Sequence, residues 1–208
     1  MARRGAELRE HILWTAKDVF IEEGFERTSM DVVAARAETS KRSLYAHFPS
    51  KDVLFQSVLE LVRELYLGRL KTPADYGDDP AEAVVAFCGR FLQLQLWTAA
   101  LRTFRLGVAE AERRPDAAAL YHEAIFDIPQ QRLASYIADR YQTDAETSQE
   151  AAKLLFGRAV YPELVGALFG CRTPLAVRPE EETLAVDVDL EPLRVAVARL
   201  LPPTPARR

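Results

Sequence analysis

Residues 28–51 constrain the fold of this chain more than any other stretch. Their pattern predicts two short helices, 28–37 and 40–48, joined by a tight turn and followed by the start of a third helix. Thr28 followed by Asp31 resembles a capping box, in which a side-chain oxygen accepts hydrogen bonds from the free N–H groups at a helix start. The stretch is therefore predicted to be a helical hairpin.

The second helix of this hairpin has an apolar side and a basic side. Leu44 and Phe48 lie four residues apart, so both are expected to point into a core. On the outward side, Lys41, Arg42 and Tyr45 fall within one arc about 100° wide. A basic, hydroxyl-rich helix of this size fits the major groove of DNA, although an ordinary hairpin with a solvated face has the same pattern. The stretch favours DNA binding and leaves that alternative open.

The run from Gly24 to Leu54 resembles the DNA-binding domain of TetR-type transcriptional regulators. The most specific part of the resemblance is Leu44-Tyr45-x-His47-Phe48-x-x-Lys51, preceded by Thr28-Ser29-Met30 and Ser40-Lys41. The resemblance implies an N-terminal helix-turn-helix domain, a C-terminal helical domain that binds a small-molecule effector, and a homodimer. The stretch Leu101–Arg113 also resembles the C-terminal domains of the AefR-like branch.

The resemblance and the two helix faces give nine candidate DNA-contacting side chains. Those on the second helix would meet base edges or nearby phosphates, and the others would position the DNA backbone without reading its sequence. The first group is Lys41, Arg42, Ser43 and Tyr45, with Ser40 at the cap, and the second is Thr28, Ser29, His47 and Lys51.

Two residues in the turn depart from the family pattern. The family usually has a glycine where this chain has Glu38, and an apolar residue where this chain has Thr39. Glu38 is tolerable if the turn is not left-handed. Its negative charge near DNA is expected to lower non-specific affinity.

The whole sequence predicts an all-α protein with an N-terminal three-helix helix-turn-helix domain and a C-terminal helical bundle. We place the first domain at residues 1–50 and the second at 51–208, with helix 51–70 as the link between them. A Pro/Gly/Asp-rich loop follows at 71–80. Hydrophobic residues at 49% and charged residues at 28% argue against general disorder.

Apolar periodicity also predicts the helices on either side of the hairpin. Gly24 should end the first helix, and Pro129 and Pro162 should kink or break two later ones. The predicted helices are 6–23, 80–98, 99–113, 116–142, 145–170 and a last one from Glu191, with an acidic connection at 171–188.

The charge distribution makes dimerisation important for DNA binding. Of the net charge of −4, residues 1–51 carry nine Lys/Arg and eight Asp/Glu, or +1, so the remainder carries −5. Few phosphate contacts per subunit are then available, and two copies should bind far better than one. The resemblance places the homodimer interface at residues 145–170 and 189–201.

An effector pocket is expected among the helices between residues 80 and 170, where aromatic side chains concentrate. The alternative for any one aromatic residue is a packed core. The candidate ligand-binding residues are Phe91, Gln95, Phe104, His122, Phe126 and Arg158.

The sequence lacks the signatures of the common enzyme and metal sites. It has no Gly-x-Ser-x-Gly elbow, no phosphate loop and no His/Cys/acid cluster, so no catalytic residue, cofactor or metal is predicted. Cys88 is expected in the core and Cys171 at a helix end, both reduced. No apolar run is long enough to cross a bilayer, so a cytoplasmic protein without a membrane partner is expected.

These observations predict a ligand-responsive DNA-binding regulator, more a repressor than an activator. It would leave a palindromic double-stranded operator when a small molecule binds the C-terminal domain. A helical small-molecule-binding or interaction module without DNA binding is the alternative, which Glu38 and the near-neutral N-terminal half favour slightly. An enzyme built on a helical bundle is a third option.

Overall fold

The computed structural model describes residues 5–203 and, for Glu181 and Ala185, the backbone alone. The outer ends of the two predicted domains, residues 1–4 and 204–208, lie outside this range. Within the described range the chain has no strand, only an isolated bridge pair between Trp97 and Leu175. The predicted all-α class is confirmed.

Twelve α-helices are present over the described residues. They are α1 Gly5–Arg27, α2 Met30–Arg36, α3 Lys41–His47, α4 Lys51–Leu70, α5 Pro80–Leu96, α6 Thr98–Glu110, α7 Pro115–His122, α8 Ile128–Tyr141, α9 Ala145–Ala159, α10 Tyr161–Leu168, α11 Leu184–Asp187 and α12 Glu191–Leu200. Short 3₁₀ helices lie at Pro73–Tyr76 and Glu181–Thr183, and a π-helical turn lies at Glu123–Asp127.

The chain divides into two compact units. The first contains residues up to Leu65 together with Arg102–His122, and the second contains Tyr66–Leu101 and the chain from Glu123 onward. The sequence did not predict that α7 and most of α6 group with the N-terminal helices. The predicted boundary after residue 50 stays a prediction.

The core of the first unit is built on aromatic residues. Phe20, Phe25 and Phe55 have ring centroids 5.0–5.8 Å apart. Phe25 reaches this cluster because Gly24, at φ 79° and ψ 170°, bends the chain inside α1. The predicted helix end at Gly24 is therefore confirmed as a break, although one more turn follows it.

Proline divides two of the predicted helices, as the sequence indicates. Predicted helix 116–142 is split into α7, the π-helical turn and α8, and Pro129 lies in the first turn of α8. Its missing N–H needs no partner there, and the wider turn before it removes the clash that an unbroken α-helix would have. Pro162 lies in the first turn of α10 in the same way, and Val160, with φ −114°, separates α9 from α10.

The second unit is organised around α5. Every residue from Phe87 to Leu96 is buried, which confirms the predicted central helix. Within this helix the buried Arg90 donates through Nη1 to Gln93 Oε1 (2.6 Å) and to the Glu180 carbonyl (2.9 Å). The amide of Gln93 donates to Thr183 Oγ1 (3.1 Å) and Asp187 Oδ2 (2.9 Å). The connection that precedes α12 thus hydrogen-bonds Gln93 and one nitrogen of Arg90, whereas Arg90 Nε is buried without a partner among the described residues.

That connection is more ordered than the sequence predicts. It contains a 3₁₀ turn and α11, and it is fixed again farther upstream at Leu175. Leu175 donates to the Leu96 carbonyl and accepts from Thr98 N, both at 2.9 Å. The connection thus contacts α5 at Leu175 and again between Glu180 and Asp187.

Candidate nucleic-acid interface

α3 is held at its start and along one face. Ser40 is the N-cap, and its hydroxyl oxygen accepts from Ser43 N at 3.0 Å. Leu44 and Phe48 are fully buried, as predicted from their spacing. The guanidinium of Arg9 lies 5.0 Å from the Phe48 ring centroid. Because these contacts hold the cap and the buried face of α3 in place, they also fix the orientation of its opposite, outward face.

The outward face of α3 presents the predicted basic and aromatic side chains. Lys41, Arg42 and Tyr45 are all exposed, and Tyr45 keeps 47% of its surface in solvent. Lys41 pairs with Asp31 at 2.7 Å, but both side chains are more than half exposed, so this pair is worth less than about 1 kcal/mol. Within residues 5–203, Arg42 has no hydrogen-bond or ion-pair partner, and its five donors are available to a ligand.

Glu38, in the turn between α2 and α3, has a left-handed backbone conformation. The condition under which an acidic residue is tolerable there, a turn that is not left-handed, is therefore not met. Glu38 has φ 50°. Its N–H donates to the Ala35 carbonyl (3.1 Å), and Thr39 N donates to the Ala34 carbonyl (3.0 Å). These two bonds form a Schellman motif with Glu38 at the position where glycine is favoured. The acidic residue therefore carries a conformational cost that the sequence alone did not establish.

The cap of α2 is displaced by one residue from the prediction. Ser29, not Thr28, is the N-cap, and its hydroxyl oxygen accepts from Val32 N at 3.2 Å. Thr28 is 2% exposed and donates to the Gly24 carbonyl at 2.7 Å. The predicted capping role of Thr28 is wrong, because its hydroxyl is used to close the turn after α1.

Lys51 is also engaged inside the protein. Its ammonium donates to the carbonyls of Phe25 (2.9 Å) and Thr28 (3.0 Å) and lies 4.2 Å from the Phe25 ring centroid. His47, which is half-buried, lies beside Phe48. Of the predicted contacts, Thr28 and Lys51 therefore hold the hairpin together, while Ser29, Ser40, Lys41, Arg42 and Tyr45 are exposed.

A recess of about 460 Å³ lies beside this exposed face. It is lined by Glu26, Arg27, Thr28, Ser29, Met30, Asp31, Tyr45 and Lys51. It joins the start of α2 to the outer side of α3, so Ser29 and Tyr45 share one concave surface. A concave surface with hydroxyl groups and a nearby basic helix is suited to a sugar–phosphate backbone.

A cluster around Arg114 was not predicted from the sequence. Arg114 Nε lies 2.9 Å from Asp52 Oδ1 at the start of α4, and another nitrogen pairs with the buried Glu110. Its guanidinium carbon lies 3.3 Å from the Phe25 ring centroid. Phe25, Asp52 and Arg114 lie far apart in the chain, and only Glu110, four residues before Arg114, is related to it by helical spacing. The cluster fixes the α6–α7 junction to the helices that carry the candidate interface.

The predicted ligand-binding residues do not form one group. Phe104 and His122 belong to the first unit, where Phe104 packs against Tyr121. The other four belong to the second unit, and Arg158 is exposed on α9.

Two of the predicted ligand-binding residues lie in the interior of the second unit, and a third lies at its edge. Phe91 packs on Phe156 at 4.7 Å between ring centroids, and Tyr161 continues this stack to the half-buried Phe126 at 5.7 Å. Gln95 is buried and donates to the Tyr66 hydroxyl at 3.2 Å. Phe91 and Gln95 are therefore part of the packed core, and Phe126 ends the aromatic stack.

The described residues contain neither a cluster of metal-ligating side chains nor a membrane-spanning helix. Among them, no group of three or more His, Cys, Asp or Glu side chains is arranged to hold a metal ion. No helix within residues 5–203 combines the length and apolar character needed to span a bilayer.

Comparison with known proteins links this geometry to one family. The sequence model described as "Bacterial regulatory proteins, tetR family" matches residues 12–58, which contain the hairpin and its supporting helices. The transcriptional regulator UidR of Escherichia coli K12 is 29% identical over 136 residues. That match spans 60% of this chain and 64% of UidR, so it leaves about a third of the relative uncovered.

Solved structures share the fold along nearly the whole chain. A TetR-family regulator from Mesorhizobium loti superposes with a TM-score of 0.73 at 22% identity, covering 96% of this chain and 97% of its own. The flavonoid-responsive regulator FrrA superposes with a TM-score of 0.68 at 24% identity, covering 96% of this chain and 100% of its own. Residues 12–58 of this chain thus match the DNA-binding part of the TetR family, and the chain as a whole has the fold of these solved regulators.

Proposed function

We propose that this chain is a homodimeric regulator of transcription that leaves a palindromic operator when a small molecule binds its second unit. The observation that carries the proposal is the outward face of α3, where Lys41, Arg42 and Tyr45 are exposed on a helix fixed by its N-cap and its buried face. The major groove of B-DNA admits one such helix. The family match over residues 12–58 supports the same use.

The side chains divide into reading and positioning roles. Arg42, Tyr45 and Lys41 would meet base edges, because they share the outward face of α3. Ser43 would do so from the side of this face, since it is half-buried and its hydroxyl lies 2.8 Å from Ser40 Oγ. Ser29, Ser40 and His47 would contact phosphates. Thr28 and Lys51, which the resemblance suggested as phosphate contacts, would instead hold the hairpin in shape through the hydrogen bonds described above.

Dimerisation follows from the weak charge of one copy. Residues 1–51 carry a net charge of only +1, so one hairpin neutralises few phosphates. Two recognition helices about 34–36 Å apart would enter successive major grooves. We place the dimer contact at residues 145–170 and 189–201. In support, these segments carry the exposed apolar residues Leu154, Val165, Phe169 and Val195.

The effector would bind the second unit, and its effect would be transmitted to the DNA-binding hairpin through α4. This helix begins at Lys51, beside the hairpin, and its last residues, from Tyr66, belong to the second unit. A ligand that prefers one orientation of the α4 pair in the dimer would shift operator affinity by differential binding to two states. The description of FrrA as flavonoid-responsive supports a small-molecule effector for this fold.

Selection of double-stranded DNA from a random pool, followed by fluorescence anisotropy, tests the proposal. We expect a palindromic site, bound with steep salt dependence. Arg42→Ala and Tyr45→Ala should each cost about 1–3 kcal/mol and relax sequence preference. The control Arg178→Ala changes an exposed arginine of the second unit and should bind as wild type. Unchanged affinity and preference in both α3 variants would remove the proposed recognition surface.

The competing function is a small-molecule-binding protein that does not bind DNA. Glu38 favours it, because a carboxylate in the hairpin turn repels phosphate. Absence of any salt-dependent shift, on both the selected pool and the DNA upstream of the chain's own coding sequence, would decide for this alternative.

A further inference from the structure

A groove in the second unit lies apart from the aromatic core around Phe91. Its volume is about 440 Å³, and it runs between the 3₁₀ helix Pro73–Tyr76 and one face of α8. The lining residues are Thr72, Pro73, Ile128, Gln131, Arg132, Ser135 and Tyr136. Pro73, Ile128 and the Tyr136 ring provide apolar walls, and the other four provide hydrogen-bonding groups. Such a mixture is typical of small-molecule sites.

Arg132 connects this groove to the end of α4. Its Nη1 donates to the carbonyls of Leu67 (3.1 Å), in the last turn of α4, and of Lys71 (2.6 Å), the residue after the helix. Within the described part of the chain, Nε and Nη2 of Arg132 have no partner. One edge of the guanidinium therefore caps α4, and the other edge is open. An open Nε/Nη2 edge matches the two oxygens of a carboxylate.

Tyr136 provides an aromatic surface on the same wall. Its side chain lines the groove, and only 8% of the residue is exposed. The hydroxyl is buried and interacts with Arg140, whose guanidinium carbon lies 5.6 Å from the Tyr136 ring centroid. The ring of Tyr136, rather than its hydroxyl, is therefore what the groove offers to a ligand.

The nearby acid does not block the open edge of Arg132. Asp75 lies close enough for Arg132 and Lys71 to help lower its pKa, but the main causes are hydrogen bonds from Thr72. Asp75 Oδ2 accepts from Thr72 N (2.8 Å) and Thr72 Oγ1 (2.7 Å). The carboxylate is thus committed to capping the 3₁₀ helix.

We propose that this groove binds a small aromatic carboxylate, with its carboxylate on the Nε/Nη2 edge of Arg132 and its ring against Pro73, Ile128 and Tyr136. The same guanidinium then contacts both the ligand and the last carbonyls of α4. The groove is therefore a site at which a ligand controls the helix that leads to the hairpin. This second part of the proposal rests on the proposed function.

Benzoate is the probe for the first part, measured against the full-length chain by ligand-observed NMR and equilibrium dialysis. We expect saturable binding at millimolar concentration. Benzamide, which keeps the ring and one acceptor but lacks the charge, should bind about tenfold more weakly. Arg132→Lys keeps a donor for the α4 carbonyls but loses the planar fork, and it should also bind benzoate about tenfold more weakly.

A matched pair of tryptophan substitutions separates the groove from the rest of the surface. Gln131→Trp fills the groove from an exposed position, and Gln56→Trp makes the same change at an exposed position on α4 in the first unit. We expect Gln131→Trp to abolish benzoate binding and Gln56→Trp to leave it unchanged. Thermal unfolding of each variant confirms that it is folded.

Three outcomes would overturn the binding proposal: no saturable benzoate binding, equal binding of benzoate and benzamide, or unchanged binding by Gln131→Trp. The coupling to α4 has its own readout, the affinity for the selected operator. Saturating benzoate should lower that affinity in the wild type and not in Gln131→Trp. If saturating benzoate leaves the operator affinity of the wild type unchanged, only the proposed coupling to α4 is refuted. If the chain binds benzoate but no DNA, the proposed function is refuted, whereas the assignment of the groove as a carboxylate-binding site stands.

Discussion

The guanidinium carbon of Arg114 lies 3.3 Å from the centroid of the Phe25 ring, while Lys51 Nζ lies 4.2 Å from the same centroid. One aromatic ring thus contacts two cations that come from different parts of the sequence. Lys51 binds the carbonyls around Phe25, and Arg114 binds Asp52 in the next position of α4. Phe25 is the point at which the end of α1, the start of α4 and the α6–α7 junction meet.

Removal of the Arg114 charge should destabilise the first unit strongly. Arg114→Met leaves Glu110, which is 5% exposed, without its partner, and breaking such a buried pair costs about 3 kcal/mol. The matched variant Arg113→Met removes only an exposed pair with Glu26 at 3.9 Å and should cost less than about 1 kcal/mol. Urea denaturation measures both. Equal effects of the two variants would show that the Arg114 cluster is not a structural node.

Two lysines of the hairpin should behave differently when replaced by methionine. Lys51→Met removes the donor to the Phe25 and Thr28 carbonyls, so it should lower the free energy of unfolding by about 1–3 kcal/mol. Lys41→Met removes an exposed charge, so it should leave stability unchanged and reduce the salt slope of DNA binding by about 1. Denaturation and salt titration of DNA binding separate the two roles. If Lys51→Met instead reduced the salt slope and left stability unchanged, Lys51 would be a phosphate contact.

Glu38 should limit both stability and non-specific DNA affinity. Its φ of 50° places an acidic side chain at the glycine position of a Schellman turn, so Glu38→Gly should stabilise the chain by up to about 1 kcal/mol. Glu38→Gln keeps the backbone cost but removes the charge. We therefore expect Glu38→Gln to raise affinity for random-sequence DNA without a change in stability, and Glu38→Gly to change both. A destabilised Glu38→Gly protein would contradict the left-handed geometry.

The two cysteines should differ in reactivity and in their effect on alkaline stability. Cys171 is exposed and should react with a thiol reagent in the folded chain, whereas Cys88 is buried and should react only after denaturation. Burial raises the pKa of Cys88 to about 12. The folded state then keeps a proton that the unfolded state loses above about pH 8.5.

This difference fixes the sign of the pH dependence. The contribution of Cys88 to stability is fully present below about pH 8.5 and decreases as pH rises toward 12, by about 1.4 kcal/mol per unit. Wild type minus Cys88→Ala, measured by denaturation between pH 8 and 10, isolates the effect. A difference that stays constant over this range would place Cys88 in contact with solvent.

Local patterns predicted the hairpin and the helix breaks. Ser40 as an N-cap, Leu44 and Phe48 as buried neighbours, and the breaks at Pro129 and Pro162 all depend on residues within a few positions of one another. Thr28 was assigned as a cap in error, because both Thr28 and Ser29 are competent caps and the choice depends on the turn that follows Gly24.

Contacts between residues that are far apart in the chain could not be predicted from the sequence. Nothing local connects Arg114 to Phe25, or Arg132 to the end of α4, because each pair is brought together only by packing. The charge of Lys51 suggested a phosphate contact, but in the structure its ammonium donates hydrogen bonds to the carbonyls of Phe25 and Thr28. The predicted ligand residues were chosen by type alone, and the fold divides them between two units.

The polar side chains buried in α5 set where this chain tolerates extra residues. The acidic connection before α12 is fixed at Leu175 by two backbone hydrogen bonds and from Glu180 to Asp187 by Arg90 and Gln93. An insertion at Leu175 would break backbone hydrogen bonds to Leu96 and Thr98, and one between Glu180 and Asp187 would pull a partner away from the buried Arg90 or Gln93. Between the two anchors, Ala176, Val177 and Arg178 are exposed. A peptide tag or a reporter domain inserted at these three residues would leave both anchors intact.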